Sequence, residues 1–551
     1  MKFFKNILFS EKYKTALFII ILLIVSSVLR LYAVGKVPPS PDWDEAALGW
    51  NAYSILHTGR DEYGKFLPVV MRSFDDYKPA LYSYLIIPFL LIFGLTLEAV
   101  RMPSIVFGIA TIIVVYFLCE ELFHRKNLSF LIAFLLAISP WHIQFSRIAF
   151  ESNVGLSLNI FGAYFFLKGL KKKPFLFLSL LSFCAGVYVY QSEKVFSPLL
   201  LFLLVGIYYK QIFSLSKKYL ATLFLFGFLL VLPMGLFLIT NPHALARAQG
   251  VSVFADTSNL AQTSLRLEQD HLHHDYLGLI LDNRRVYFVK EIVANYLSHF
   301  DIKWLFITGD VSRHHAPFMG LMYLWELPFL LSGIYYFLFS DYSKKTKILI
   351  FGWWLLAPLP AAVTTGVPHA VRTLNFLPTW QLFTAFGIIG IFGLLRNKKK
   401  VRFGLTMLFF IIVIFNFFYY LDQYFVQQNY YNSRDWQYGY KSAVAYLATI
   451  PARHIVVSNQ PPLDQSYMFF LFYLKYNPAL YQSETKHVSG GFREDHEYGK
   501  YAFRPIVWSS EKKNPNTVYV GRPSDFPTDV HILKTIYYLN KTPAIEIVKG
   551  N

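Results

Sequence analysis

Apolar runs recur through the first three quarters of this chain, and each is long enough to cross a bilayer as a helix. Crossing ~30 Å of hydrocarbon takes about 20 apolar residues, and a water-soluble core would not need so many such runs in series. The composition agrees, because 55% of the 551 residues are hydrophobic and only 16% are charged. We therefore predict an α-helical polytopic membrane protein with about 11 spans, at approximately 15–34, 99–123, 128–146, 152–168, 174–190, 195–210, 219–240, 318–340, 346–364, 374–395 and 401–421.

The basic residues indicate how these spans are oriented. The net charge is +18, but the lysines and arginines do not form the single stripe or tail that nucleic-acid binding needs, so we predict no nucleic-acid partner. They fall into short clusters between apolar runs, a pattern typical of the cytoplasmic side of a cell membrane. The clusters are Lys2 to Lys14, His124-Arg125-Lys126, Lys168 to Lys173, Lys210 to Lys218, Lys344 to Lys347 and Arg396 to Arg402. The amino terminus is then cytoplasmic.

The segment 79–95 decides the topology. If it were a full span, the next four basic clusters would lie outside, whereas a juxtamembrane or re-entrant helix keeps every cluster inside. Pro88 fits a bent helix of the second kind, which we adopt and which leaves the carboxyl end outside. The first span follows lysines and lacks a small-residue cleavage site, so we expect a retained signal anchor.

Three regions are predicted to project outside the membrane: loops at about 35–98 and 241–317, and the tail 422–551. The middle loop has amphipathic stretches such as Val286–Phe300, which we expect to lie on the membrane as helices. The tail changes to a water-soluble pattern, so residues 1–421 form a transmembrane domain and 422–551 a small extracytoplasmic α/β domain. In the tail we predict helices at Tyr440–Leu447 and Tyr467–Tyr476, and strands at Ile455–Val457, Thr517–Val520 and Ala544–Val548.

Polar side chains gather at the predicted outer face. Inserting a charged side chain into hydrocarbon costs roughly 2.5–3.5 kcal/mol, so such residues suggest a site. They are Asp44, Glu45, Asp75, Asp76, Lys78, Arg101, Arg147, Glu151, Gln191, Lys194, His369 and Arg372. One outer-face cavity could hold them all. Acids, cations and apolar walls suit transfer from a lipid phosphate, which needs a base for an incoming hydroxyl and positive charge for the departing phosphate.

An ordered set of motifs resembles a known family. The motifs are Trp43-Asp44-Glu45, Leu67-Pro68, Tyr77-Lys78-Pro79-Ala80-Leu81-Tyr82-Ser83-Tyr84, Phe93-Gly94, Arg101-Met102-Pro103-Ser104, and later Pro368-His369-Ala370-Val371-Arg372 with Leu377-Pro378. They are similar to those of the protein O-mannosyltransferase and lipid A aminoarabinose transferase group, whose members have the GT-C fold. These enzymes transfer a sugar with inversion from a polyprenyl-phosphate monosaccharide on the extracytoplasmic face. The resemblance covers about the first 200 residues in order, and it does not cover the tail.

The resemblance implies a glycosyltransferase that moves a hexose or pentose to a hydroxyl of a protein, lipid or glycan. It implies that Asp44 is the catalytic aspartate and accepts the proton of the acceptor hydroxyl, with Glu45 as its neighbouring acid. Lys78 matches the family's phosphate-binding lysine. Further candidates for binding the donor phosphate are Arg101, Arg147, His369 and Arg372, and other site candidates are Asp75, Asp76, Glu151 and Lys194.

The metal requirement stays open at this point. The aminoarabinose transferases carry a glutamate directly before the lysine, and this chain has Tyr77 there. We therefore assign no cofactor and leave a divalent metal ion as an alternative. The histidines His271, His273 and His274, like His314 and His315, lack a helical pair with an adjacent acid, so we assign them no metal role. Two cysteines inside predicted spans, Cys119 and Cys184, support neither a disulfide framework nor a metal site.

Simpler interpretations exist for each site residue. Asp44 and Glu45 could cap a helix that starts near Ala46. Lys78 and Arg101 could extend along apolar surface towards the interface, and Arg147 with Glu151 could form a structural i,i+4 ion pair. At the level of the whole protein, the alternatives are a lipid or polysaccharide transporter and a non-catalytic receptor. A transporter would place polar groups near the midplane on repeated halves, whereas this chain shows no repeat.

Overall fold

Helices dominate the first three quarters of the chain in this computed structural model, which describes residues 11–74, 76–241, 250–255, 260–485 and 495–550. Two short strands interrupt them, β1 (Val70–Ser73) and β2 (Asp76–Pro79). The helices are α1 Glu11–Leu31, α2 Trp43–Thr58, α3 Leu81–Phe93, α4 Leu97–Phe123, α5 Lys126–Ile138, α6 Pro140–Arg147, α7 Ser152–Lys171, α8 Phe175–Val187, α9 Glu193–Ile207, α10 Tyr209–Phe213, α11 Lys217–Thr240, α12 Leu260–Leu272, α13 Tyr276–Leu281, α14 Arg284–Ser298, α15 Glu326–Leu338, α16 Lys344–Leu356, α17 Leu359–Ala362, α18 Thr379–Leu394 and α19 Lys399–Asp422.

Each predicted span contains a helix, and the helical membrane fold is confirmed. Among the described residues, five helices are long and apolar enough to cross a membrane. A sixth results if α5 and α6, which meet at a bend of 58°, form one span. The number of 11 spans stays a prediction, because helices such as α8 and α15 have only 13 residues each.

Prolines account for two shortened helices. The predicted span 346–364 divides into α16 and α17, because Pro358 and Pro360 follow the end of α16 and cannot donate to a continuing helix. The predicted span 374–395 begins as a regular helix only at Thr379, after Pro378. A residue before proline is disfavoured in helical conformation, and Leu377 has extended backbone angles.

The segment 79–95 forms α3, whose 13 residues include Pro88. At a rise of 1.5 Å per residue, such a helix is about 20 Å long. This length is compatible with the predicted juxtamembrane or re-entrant helix, but α8 and α15 have the same length, so the placement of α3 stays a prediction. In the middle loop, α14 covers most of the predicted amphipathic helix Val286–Phe300.

Small residues bring α4, α6 and α7 close together beneath the outer loop. A Cβ atom on Gly108 of α4 would lie only 2.4 Å from the Cβ of Ser146 on α6. Ser104 donates a hydrogen bond to the carbonyl of Phe145 at 2.8 Å, and Asn153 of α7 donates to the carbonyl of Ser104 at 2.8 Å. Close approach and interhelical hydrogen bonds are the usual means of holding helices together in a membrane. They fix the helix ends that carry the polar residues.

The tail forms a six-stranded mixed sheet flanked by helices. Its strand order is β4-β5-β3-β6-β8-β7, and β3 runs parallel to both β5 and β6. The elements of this part are α20 Gln428–Asn432, α21 Tyr440–Leu447, β3 His454–Val457, α22 Ser466–Leu474, α23 Pro478–Glu484, β4 His496–Tyr498, β5 Tyr501–Phe503, β6 Thr517–Gly521, β7 Ile532–Tyr537 and β8 Pro543–Lys549. All five predicted elements of the tail are present, whereas α20, α23, β4, β5 and β7 were not predicted.

The tail packs directly on α2. A Cβ on Gly49 of α2 would lie 2.9 Å from the ring of Phe472 on α22, so the two helices touch. Beside them, the Tyr467 hydroxyl donates to Glu62 Oε1 at 2.8 Å, and Gln482 donates to the carbonyl of Asp61 at 2.9 Å. The tail therefore supports the helix that carries Asp44.

This interface predicts a pH dependence of stability. Burial raises the pKa of the Glu62 carboxyl from 4.5 to about 7. Because the folded protein holds this proton more tightly than the unfolded chain, stability falls as the pH rises from 4.5 through 7, by roughly 3 kcal/mol at most. In Glu62→Gln the amide can still accept from Tyr467 but does not ionise. We expect its apparent melting temperature in detergent to fall less between pH 5.5 and 8 than that of the wild type.

The control for this measurement is Glu497→Gln, on the exposed side of β4. It should show the full pH-dependent drop of the wild type. An equal drop in Glu62→Gln would mean that Glu62 is not the titrating group.

Candidate active site

The candidate site starts at the amino terminus of α2. Asp42 is the N-cap: its Oδ1 accepts a hydrogen bond from the Glu45 amide at 2.9 Å, and its Oδ2 accepts one from Arg313 at 2.8 Å. Asp44 lies in the first turn, where the helix dipole favours a carboxylate. The alternative that Asp44 or Glu45 caps a helix near Ala46 is wrong, because the helix begins at Trp43 and Asp42 is its cap.

A β-hairpin brings Lys78 to Asp44. Strands β1 and β2 pair antiparallel with Lys78 opposite Met71, and the Lys78 ammonium forms an ion pair with the Asp44 carboxylate. Burial lowers the pKa of Lys78, but the carboxylates of Asp44 and Glu151 outweigh that effect and hold the pKa above its ordinary value. Lys78 is therefore cationic, although its side chain is only 11% exposed.

Asp44 and Lys78 form part of the wall of a polar cavity of about 250 Å³. The other lining residues are Asp42, Pro79, Phe150, Glu151, Tyr190, Gln191, Val311, Arg313, His314, His369 and Val371. Carboxylates, cations and imidazoles thus face one space. Five of the predicted polar residues meet here: Asp44, Lys78, Glu151, Gln191 and His369.

Glu151 is buried beside this pair, immediately before α7. The pKa of its carboxyl is raised to about 7, mainly by burial, with Lys78 lowering the pKa and the Asp44 charge raising it. Near neutral pH this carboxyl therefore exchanges its proton readily. The predicted ion pair between Arg147 and Glu151 is wrong, because the guanidinium of Arg147 donates elsewhere.

The guanidinium of Arg147 donates hydrogen bonds to backbone carbonyl oxygens. It donates to the carbonyls of Leu29, Arg30 and Val37, each at 2.9 Å, and it is fully buried against the ring of Phe425. These bonds fix the chain where α1 ends. The expectation that Arg147 faces the same cavity as Asp44 is corrected, because its donors are directed at this loop.

Glu45 and Arg101 also lie outside the cavity. Arg101 Nε and Nη2 donate to the two carboxylate oxygens of Glu45 at 2.9 and 2.8 Å, and both side chains are fully buried. The other Arg101 donors reach the carbonyls of Val34, Pro38 and Ser40. The expected single cavity therefore does not include this pair, because two of the five guanidinium donors bind Glu45 and the other three hold the loop between α1 and α2.

The remaining predicted residues lie at or beyond the margin. Arg372 donates to the Thr364 hydroxyl at 2.6 Å and to the Thr365 carbonyl at 2.8 Å, and its charge acts on Tyr190 in the cavity wall. Lys194 is half-buried and is not among the lining residues. Asp75, and the side chain of Asp76 on β2, lie outside the described part of the chain.

Comparisons with known proteins agree with this architecture. Residues 77–237 match the family model described as dolichyl-phosphate-mannose-protein mannosyltransferase. ArnT from Cupriavidus metallidurans bound to undecaprenyl phosphate superposes with a TM-score of 0.54 at 10% identity, over 98% of each chain. Its apo state gives 0.53 at 9% identity, over 97% of each chain. This chain has the GT-C fold. The resemblance predicted from the motifs of the first outer loop is confirmed at that level.

Two other comparisons give a weaker match or none. The apo oligosaccharyltransferase of Archaeoglobus fulgidus gives a TM-score of 0.49 at 14% identity, covering 85% of this chain and 64% of that protein. This chain thus spans less than two thirds of that protein's length. No curated protein sequence matches this chain.

The structure places residues at the cavity that were not predicted as site residues from the sequence. Asp42, which is buried, forms an ion pair with the partly buried Arg313 at the cavity wall, and Arg313 lies over the ring of Trp43, 4.3 Å from its centroid. Asp310 accepts from His314 at 2.9 Å. The only signal for Asp42 was its place two residues before Asp44. Arg313 and Asp310 carried no local signal, because they come from a loop about 270 residues further along the chain. His314, in the same loop, was noted in the sequence but was assigned no role there.

An apolar groove of about 420 Å³ lies beside the polar cavity, between the hairpin and helices α3, α8 and α11. Pro79 faces the cavity, and Ala80, the next residue, faces the groove. The groove is lined by Leu67, Pro68, Val69, Ala80, Leu81, Tyr84, Leu181, Cys184, Ala185, Tyr188, Leu229, Leu230 and Pro233. The polar cavity and the apolar groove are therefore adjacent, with Pro79 and Ala80 between them.

Proposed function

We propose that this protein is a membrane glycosyltransferase that moves a sugar from a polyprenyl-phosphate monosaccharide to an acceptor hydroxyl, with inversion at the anomeric carbon. The observation that carries the proposal is the Asp44–Lys78 ion pair in the wall of a polar cavity beside an apolar groove. A lipid phosphate needs both environments, a cation for its headgroup and an apolar surface for its chain. The GT-C fold and the family match over residues 77–237 support the same reaction class.

The groove supports a lipid-linked donor. Its lining is almost entirely apolar, and it reaches Ala80, two residues from Lys78. An isoprenoid tail in the groove places its phosphate near the Lys78 ammonium. The solved ArnT structure holds undecaprenyl phosphate, a lipid of this chemical class.

The reaction is a single displacement. The phosphate of the donor forms an ion pair with Lys78 in place of Asp44. The Asp44 carboxylate is then free to act as a base. Asp44 then accepts the proton of the acceptor hydroxyl while that oxygen bonds to the anomeric carbon, and the bond from that carbon to the phosphate oxygen breaks. Polyprenyl phosphate leaves with its charge stabilised by Lys78, with Arg313, His369 and Arg372 as further polar groups at or near the cavity.

The orientation follows from the basic clusters. Lysines and arginines at Lys168–Lys173, Lys344–Lys347 and Arg396–Arg402 support an orientation with that end of the helices in the cytoplasm. The cavity and the tail then face the extracytoplasmic side of the cell membrane. An acceptor protein, lipid or glycan of the cell envelope would reach the cavity from that side.

The proposal is tested with purified protein in nanodiscs and a radiolabelled polyprenyl-phosphate monosaccharide. We expect wild-type protein to release the sugar from the lipid to an acceptor or to water. Lys78→Met removes the phosphate-binding charge at similar size, and we expect kcat/KM to fall about 10²–10³-fold with weaker donor binding.

The matched control is Lys36→Met, an exposed lysine of the same outer loop outside the cavity lining. It should retain wild-type turnover. Equal turnover in Lys78→Met and Lys36→Met would contradict the assigned phosphate site. Movement of intact donor across the bilayer without bond cleavage would indicate a transporter instead.

A further inference from the structure

Two loops distant in sequence bring a carboxylate and two imidazoles together at the cavity. The loop after a π-helical turn, Trp304–Thr308, carries Asp310 and His314, and the loop before α18 carries His369. One potential ligand atom from each of these residues lies within 4.8 Å of those of the other two. Within the described residues, this is the one group of three such side chains that close together.

The loops are held in place independently of any ligand. Asp310 Oδ2 accepts from the backbone amide of Ala370 at 2.6 Å, which joins the two loops directly. The backbone amide of His369 donates to Nε2 of the buried His299 at 3.2 Å. Such bonds fix the orientation of neighbouring side chains before an ion arrives, as second-layer contacts do in metalloproteins.

The His314 ring is apolar-packed on one side and faces the cavity on the other. The His314 ring packs against Phe145 and Phe150, with centroids 5.7 and 5.8 Å away. Both His314 and His369 line the same cavity as Asp44 and Lys78. A cation bound here would therefore keep an open coordination position towards the cavity.

We propose that Asp310, His314 and His369 form a binding site for a divalent transition-metal cation of the zinc class. Two imidazole nitrogens and one carboxylate oxygen are a donor set that Zn²⁺ accepts, and zinc sites with three protein ligands leave a fourth position for a small molecule. The site is separate from the residue before Lys78, where the resembled transferases have a glutamate and this chain has Tyr77. It stands on geometry alone and does not depend on the proposed sugar transfer.

The competing explanation is structural. The Asp310 carboxylate could serve only to join the loops, because it accepts hydrogen bonds from His314 in its own loop and from the Ala370 amide in the other. The two explanations differ in whether the protein takes up a metal ion with a defined stoichiometry, so the readout must be metal binding itself.

The test uses the full chain, purified without a polyhistidine tag, treated with a chelator and titrated with Zn²⁺ by calorimetry. Co²⁺ serves as a spectroscopic probe, because its visible absorption reports bound nitrogen ligands. We expect one Zn²⁺ per chain, with affinity at least about tenfold weaker in His314→Ala and in His369→Gln. His315→Ala is the matched control, since the His315 ring belongs to the same loop but not to the cluster. It should bind like the wild type.

Each outcome supports or overturns the proposed metal site. Saturable binding that both cluster variants lose and His315→Ala retains supports the site. No saturable Zn²⁺ binding by the wild type, or equal binding by the wild type and a folded His314→Ala or His369→Gln, overturns it. No donor lipid enters this experiment, so its failure is distinguishable from failure of the transferase proposal.

Discussion

Asp44→Asn is expected to insert, fold and bind the donor lipid while sugar transfer falls about 10²–10⁴-fold, the range typical for loss of a general base. The side chain keeps its size, and the helix keeps its cap because Asp42 provides it. Lys78 loses a charged partner, but Glu151 remains close enough to influence it. The measurement is single-turnover release of sugar from a labelled polyprenyl-phosphate donor, with donor affinity and melting temperature determined on the same preparation.

Asp435→Asn is the matched control for this variant. Asp435 is an exposed aspartate after α20, outside the cavity, so the same chemical change there should leave the rate unaltered. Wild-type rates in a folded Asp44→Asn protein would remove Asp44 from the chemistry. It would then be an acid in the first turn of α2 that stabilises the helix dipole and pairs with Lys78.

Most of the fold could be predicted because membrane helices and soluble strands leave local patterns. The helix α21 coincides with the predicted Tyr440–Leu447, and β6 and β8 include the predicted strands. Strands β4 and β5 have three residues each, which is too short for an alternating pattern to appear. Their place in the sheet depends on β3, about forty residues earlier in the chain.

The candidate site was predictable where a motif or a polar residue at the outer face marked it, as for Glu151. Asp44 and Lys78 were found through the family resemblance, and the structure pairs them. Arg147 could not be assigned from the sequence, because its partners are backbone carbonyls at the end of α1, and every residue has a carbonyl. His314 was set aside on local spacing, since its neighbours in the cluster include His369 from a different loop.

Asp42 was not predicted because the start of the helix was placed too late in the sequence. The sequence Trp43-Asp44-Glu45 resembled a motif of an outer loop, so the helix was expected to start after it. In the structure the motif is the first turn of α2, and the preceding aspartate caps it. This arrangement makes Asp44, the proposed base, part of a rigid helix. A site residue on a helix is held more firmly than one on a loop.

Arg101→Met is expected to destabilise the protein by about 3–5 kcal/mol, the range for breaking a buried ion pair, whether or not a donor lipid is present. The substitution leaves the Glu45 carboxylate charged in a fully buried position and removes the donors that hold the carbonyls of Val34, Pro38 and Ser40. We expect a large fall in melting temperature and loss of monodisperse protein on size-exclusion chromatography in detergent.

The sequence alone suggested a donor-phosphate role for Arg101, and Lys78→Met separates the two roles. If the structural role is right, Arg101→Met loses stability, whereas Lys78→Met loses transfer and keeps a melting temperature near that of the wild type. The double variant Glu45→Met with Arg101→Met removes both buried charges. It should recover part of the stability that Arg101→Met loses, because no carboxylate is then left buried without its partner. A stable Arg101→Met protein with weakened donor binding would return Arg101 to the phosphate site.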